Sequence, residues 1–162
     1  MSDLAGRVAA LEAEVQRLRD RAEIEDLRFR YHVAVNERRP EAIAPLFARR
    51  ASLDFGPLGR ASGPREIEAF FAAMLGDPAA FVKQFIHNHL VEIEGDHARG
   101  TSYLEARPVY RGESYLVAAR YDDAYAREDG RWRFQEMAMT PFFIVPLREG
   151  WAGEEKIRLG PR

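Results

Sequence analysis

Three dipeptides constrain this chain more than any other feature. Gly95-Asp96, Arg111-Gly112 and Asp129-Gly130 each interrupt long stretches in which polar and apolar residues alternate. Such pairs suit tight turns, because Gly and Asp tolerate the left-handed backbone that a two-residue hairpin needs. They divide the second half of the chain into strand-like runs over residues 81–94, 98–110, 113–128 and 131–145. Asp129-Gly130, flanked by Tyr125 and Trp132, carries the strongest hairpin signal. Strands joined this way build an antiparallel meander.

Upstream of Pro78 the apolar spacing is helical. Leu4, Val8, Leu11, Val15 and Leu18 recur at alternating intervals of four and three, which is a heptad seam. The spacing predicts a helix that caps the core of its own domain or packs on a neighbouring subunit, with Ser2 and Asp3 as its N-cap. Residues 22–35 predict a second helix, with Ile24, Leu27, Tyr31 and Val35 on one face and Glu23, Glu25, Arg28 and Arg30 mostly on the other. Pro40 stops that helix or opens a short one that buries Ile43, Leu46 and Phe47. Ser62-Gly63 before Pro64 starts a further helix with Ile67, Phe70, Phe71 and Leu75 as its apolar stripe. Helices followed by a run of strands mean an α+β domain, with helices packed on one face of a curved antiparallel sheet. One domain spans residues 1–162, with a heptad helix at 1–20 and a loosely specified tail at 150–162.

What the chain lacks narrows the chemistry. With no cysteine, disulfides, thiolate metal sites and a cysteine nucleophile are excluded. A formal charge of −2 with both signs interspersed gives no footprint for nucleic acid. The amino-terminal residues lack the apolar run of a secretory signal, and no segment suits a membrane span, so a cytoplasmic protein is expected. Ten Phe and six Tyr supply a core despite 31% charged residues. His87 and His89 stand two apart without a third ligand, so no metal is expected. No phosphate or dinucleotide loop and no nucleophile elbow occurs, so no cofactor is expected either.

Four segments in order resemble the SnoaL-like branch of the nuclear-transport-factor-2-like superfamily. They are RAEIEDLRFRYHVAVNERRPEAIAPLFA, ASLDFGPLGRASGPREIEAFF, HNHLVEIEGDHARGTSYLEA and YDDAYAREDGRWRF. The resemblance implies a cone, in which a curved sheet wraps an apolar pocket closed by the N-terminal helices. That cone hosts dehydratases, dehydrohalogenases, isomerases, epoxide hydrolases, polyketide cyclases and plain binding modules. In the family's lyases a helix carboxylate and a strand-start His form a proton-transfer pair, in which the carboxylate fixes the imidazole. Carried across, those positions fall on Asn36 and Gln84, amides that exchange hydrogen bonds but take up no proton. A basic residue of the last strand falls on Ala138, subject to a one-residue slip at a bulge. Tyr31 matches a site Tyr.

Strand alternation points Leu104 and Ala106 inward, leaves Glu105 and Arg107 in solvent, and makes Tyr121 the polar-tipped residue reaching the interior. His87 and His89 fall opposite Gln84 in parity unless a bulge near Asn88 turns one in. His32 shares a helix face with Asn36 and could replace the missing base. The expected catalytic set is Tyr31, Asn36, Gln84 and His32, with Phe55, Phe70, Leu104, Ala106, Tyr121, Met137 and Phe142 binding substrate. Two functions fit: a cofactor-independent cyclase, isomerase or dehydratase acting on a small hydrophobic oxygenated compound, or a non-catalytic binding or assembly module. The heptad helix and an apolar sheet face both need cover, so a homo-oligomer, dimer or trimer, is expected.

Overall fold

The computed structural model describes residues 2–77 and 81–159, without the side chains of Ser2 and Asp3. The expected N-cap therefore lies outside the described residues, as does Pro78. α1 is one continuous helix, Ser2–Asn36, where the sequence spacing suggested two. Its first half touches nothing of its own domain, since residues 4–19 are all exposed, so the heptad stretch caps no core. Docking begins at Asp20, which accepts hydrogen bonds from Trp132 Nε1 (3.1 Å) and Arg127 Nη2 (2.6 Å). Ile24, Leu27, Tyr31 and Val35 then bury against the sheet.

α1 ends in a left-handed turn at Arg38 (φ 56°), with Arg39 N–H bonded to the Ala34 carbonyl and Arg38 N–H to the Val35 carbonyl. That turn usually wants glycine. Here the Arg38 guanidinium anchors it by donating to the Leu75 carbonyl (3.0 Å). Pro40–Ala42 and Ala44–Leu46 form short 3-10 turns leading into β1, Phe47–Asp54. β2 (Arg60–Ser62) and α2 (Gly63–Leu75) follow, and α2 buries Ile67, Phe71 and Leu75.

The remaining strands are β3 (Gln84–Glu94), β4 (His97–Ala106), β5 (Val109–Tyr110), β6 (Glu113–Glu128) and β7 (Arg131–Pro146). The three turn pairs stand where the sequence puts them. Arg111 and Gly112, and Asp129 and Gly130, take positive φ in pairs, while Gly95 does so at the first turn position. The run expected at 98–110 splits into β4 and β5, because Pro108 has no N–H to donate to a ladder. The sheet order is β2-β1-β7-β6-β4-β3. It is mixed rather than wholly antiparallel, since β1 runs parallel to β7. Turn signals fix direction only between hairpin-joined strands, and β1 reaches β7 from far away in the chain.

Bulges bend the sheet around α1. The β3–β4 register shifts between Ile86 and His89, and the β6–β7 register shifts twice, leaving Gln135 and Phe142 as the extra residues of β7. The concave side is packed with rings rather than left hollow. Tyr31 meets Phe71, Phe134 and Tyr121 edge-on, with centroids 5.8, 6.1 and 6.2 Å away. The tail lies against β7, where Ile144 N–H donates to the Lys156 carbonyl and Arg158 N–H to the Ile144 carbonyl, and Trp151 stacks on Phe143. No helix among the described residues is long and apolar enough to cross a membrane.

Candidate active site

Asn36 and Gln84 do meet, but through the backbone of Gln84. The Asn36 amide donates to the Gln84 carbonyl (2.8 Å) and accepts from the Gln84 N–H (2.7 Å), copying the two bonds of a strand partner. Lys83 Nζ caps the Asn36 carbonyl at the C-terminal end of the helix. The side chain of Asn36 thus fastens the end of α1 to the start of β3, with both its polar atoms occupied.

A different polar group lies one strand segment further along the same concave face. Arg28 and Asp123 form an ion pair, with side chains 1% and 0% exposed. Asp123 Oδ2 also accepts from the Tyr125 hydroxyl (2.9 Å), and that hydroxyl stands 3.1 Å from His89 Nε2. Because the Tyr125 proton points at the carboxylate, its oxygen is left to accept, so His89 carries its proton on Nε2 and a lone pair on Nδ1. The order is His89, Tyr125, Asp123, Arg28, and it crosses from β3 through β6 to α1.

Three local features build this array. The bulge between Ile86 and His89 turns His89 inward while His87 stays on the surface beside Glu105. Gly100, inside β4, leaves the space they share: a Cβ there would stand 2.7 Å from His89 Nε2 and 2.9 Å from Tyr125 Cε2. The guanidinium of Arg28 lies over the rings of Tyr121 (4.3 Å) and Phe134 (4.8 Å), which partly replace its lost water.

Charge in this place is opposed by burial. Burial works against the Arg28 cation, but Asp123 beside it outweighs that and holds its pKa above the ordinary value. Burial pushes the Asp123 carboxyl up, against the pull of Arg28 and the Tyr125 hydroxyl. His89 is pushed down to about 4, by burial first and then by the charges of Arg28 and Arg21. It is a neutral imidazole at pH 7.

Several polar atoms here have no partner. Arg28 Nε, Asp123 Oδ1, His89 Nδ1 and Ser102 Oγ are buried and unpaired, while the Gln84 side chain interacts with His32 and Tyr121. Buried groups left so are rare and mark places where a ligand or water completes the set. Arg28 and His89 also line a cleft of about 350 Å³ between α1 and the β3 bulge, with Glu25, Phe29 and Ile86 on its walls.

His32 is 3% exposed and its pKa falls to about 3, because of burial and then the nearby Arg28 charge. Tyr31 and Tyr121 are fully buried with hydroxyls 3.4 Å apart. Cross-strand register sets His89, Ser102, Tyr121 and Met139 in one row across the sheet. Of the expected lining, Phe55, Leu104, Ala106 and Met137 face inward, and Phe70 packs edge-on to Phe55 at 5.6 Å. Phe142 does not: as the extra residue of a bulge it turns outward, 45% exposed, and stacks on Tyr103. Ala138 also falls on the outer side, because the bulge at Gln135 brings Met137 and Met139 in. Among the described residues, no group of three His, Asp or Glu converges as a metal site.

Arg28, Asp123, Tyr125 and Gly100 are not among the site residues the sequence pattern singles out. Two signals for them were available. The inward parity of Tyr115, Val117, Ala119 and Tyr121 continues to Asp123 and Tyr125, and a glycine inside a strand marks a close approach.

Known proteins share this architecture. A hexachlorocyclohexane dehydrochlorinase (type 2) superposes with a TM-score of 0.76 at 25% identity, over 83% of this chain and 93% of that one. A scytalone dehydratase-like protein from Novosphingobium aromaticivorans gives 0.72 at 20% identity, over 80% and 88%. An uncharacterized protein of Mycobacterium tuberculosis is 26% identical over 133 residues, 80% of this chain and 90% of that protein. The SnoaL-like domain signature matches residues 16–138, which takes in the docked half of α1, the concave sheet as far as the middle of β7 and the whole polar array, and so the chain belongs to the SnoaL-like family.

Proposed function

We propose that this protein is a cofactor-independent enzyme that moves a proton on a small, apolar, oxygenated molecule, with His89 as the base. One observation carries the reading: an unpaired acceptor, His89 Nδ1, and an unpaired charged donor, Arg28 Nε, belong to side chains lining one cleft. A carbon acid beside a carbonyl needs that combination. His89 Nδ1 takes the C–H proton, and the electron pair moves onto the carbonyl oxygen as an enolate beside Arg28. The imidazolium that forms donates from Nε2 to Tyr125, whose own proton rests on Asp123, so the carboxylate steadies it at one remove. Return of the proton to another carbon gives isomerisation. Return of it to a departing hydroxyl gives dehydration and water.

The solved relatives named as a dehydrochlorinase and as scytalone dehydratase-like support this class, since elimination starts by taking a proton from carbon. The substrate is small, because the interior is filled by rings and the cleft is modest. A binding role without turnover draws on the Asn36 amide, which is committed to backbone where the family's lyases hold a carboxylate.

Deuterium uptake from D2O into a panel of apolar ketones tests the proposal. His89→Gln is expected to lower exchange by about 100-fold or more, the usual scale for losing a general base. Asn36→Ala is expected to leave it within a few-fold. Exchange that survives His89→Gln undiminished, or that Asn36→Ala abolishes in folded protein, contradicts the assignment. Saturable binding of the ketones without exchange selects the binding role.

A further inference from the structure

The first half of α1 carries an apolar stripe with nothing on it. Leu4, Val8, Leu11, Val15 and Leu18 are 45–66% exposed and Ala22 continues the same spacing, while Glu25 and Phe29 beyond it wall the cleft beside Arg28. At about 100° of rotation per residue, the five apolar positions fall within about 40° of one direction. Asp20, Ile24, Leu27 and Tyr31, which dock α1 on its sheet, point about 140–200° away from it. The domain therefore hangs on the back of the helix, and the stripe faces outward with room for a neighbour. A lone helix of this length without tertiary contacts is marginal in water, so its stripe calls for cover. The family signature begins only at residue 16, inside the stripe.

We infer that the stripe is covered by the same stripe of a second copy of this chain, as a parallel two-stranded coiled coil. Val8 and Val15 occupy the a positions and Leu4, Leu11 and Leu18 the d positions. β-Branched residues at a with Leu at d favour two parallel strands. The flanking charges agree. In the parallel, in-register pair each g residue faces the e residue five positions on in the other helix, which sets Arg7 against Glu12, Glu14 against Arg19 and Arg21 against Asp26. Every pair is opposite in sign. Sliding one helix by a heptad sets Arg7 against Arg19 and Glu14 against Asp26, or in the other direction Glu14 against Glu12 and Arg21 against Arg19. Like charges then meet, so the pattern selects the register as well as the partner. Among the described residues, Arg7, Glu12 and Arg19 have no ion pair within their own chain, whereas Glu14 pairs with Arg17, Asp26 with Arg30, and Arg21 donates to the Val91 carbonyl, so these three exchange partners on association.

Light scattering and sedimentation of the full chain read the association. The wild type is expected to be a dimer, and Leu11→Asp with Val15→Asp a monomer whose domain unfolds as before, since neither residue reaches the core. Glu12→Lys is expected to weaken the dimer by about 10-fold or more, and Arg7→Glu added to it to restore much of the loss. The chain has no cysteine, so single introduced thiols report orientation cleanly. A mixture of Leu4→Cys and Leu18→Cys chains is expected to give only like-with-like disulfides, whereas Gly6→Cys, on the opposite side of the helix, gives none. A monomeric wild type, an oligomer indifferent to Leu11→Asp with Val15→Asp, or a disulfide between position 4 and position 18 would each overturn the inference.

Discussion

Two polar clusters face the same concave interior, a few residues apart along β3, and they differ in how far they are satisfied. At the start of the strand, Asn36 and the Gln84 backbone use each other's donors and acceptors completely. Past the bulge, His89, Tyr125, Asp123 and Arg28 are tied into one line, yet His89 Nδ1, Arg28 Nε and Asp123 Oδ1 stay unpaired. A saturated cluster holds the fold. An unsaturated one, held rigid by its remaining bonds, keeps chemistry in reserve. The difference is why the proposed chemistry is assigned to the second cluster rather than to Asn36, where the family's usual dyad positions fall.

Breaking the second cluster should cost most. Asp123→Leu leaves the Arg28 cation buried and uncompensated, for an expected loss of about 3–5 kcal/mol in denaturant unfolding. Adding Arg28→Met should recover much of that, because the charge is removed with its partner. His32 provides a pH test of the same interior. Its folded pKa of about 3 lies below the ordinary 6.5, so both states are neutral at pH 7. As pH falls from 6.5 towards 3 only the unfolded chain takes up the proton, and stability drains away. At pH 4.5 His32→Leu should be more stable than the wild type by about 2–3 kcal/mol relative to their difference at pH 7. An unchanged difference between the two pH values would mean that His32 is wet.

Smaller effects sharpen the contrast. Gly100→Ala pushes a methyl into His89 and Tyr125, and should cost about 2 kcal/mol while parting their hydrogen bond. Asn36→Ala should cost about 1 kcal/mol in stability and little in ketone exchange. If Asn36→Ala instead left stability alone and removed activity, the roles of the two clusters would be exchanged.

The meander was legible because turn chemistry and alternation are local: Asp129-Gly130 and the inward series from Tyr115 to Tyr121 need no tertiary context. The spacing in α1 suggests two helices because its apolar stripe switches faces between Leu18 and Ile24. Physically one helix changes what it is meant to pack against. The segment ASLDFG marks a strand, but the parallel sense of β1 leaves no trace, since nothing local sets its direction. The polar array was hidden for an energetic reason: charged residues such as Arg28 and Asp123 are assigned to solvent by default, and only pairing makes their burial tolerable. His89 depended on a bulge, and Phe142 was misplaced by another.

The central claim is that His89 is a neutral base oriented through Tyr125 by Asp123. Nitrogen-15 NMR of the histidine side chains across a pH titration tests it directly. His89 is expected to keep its proton on Nε2 from pH 8 down to near its pKa of about 4, and to lose that preference in Tyr125→Phe. A His89 that titrates near 6.5, or whose tautomer is indifferent to Tyr125→Phe, would contradict it.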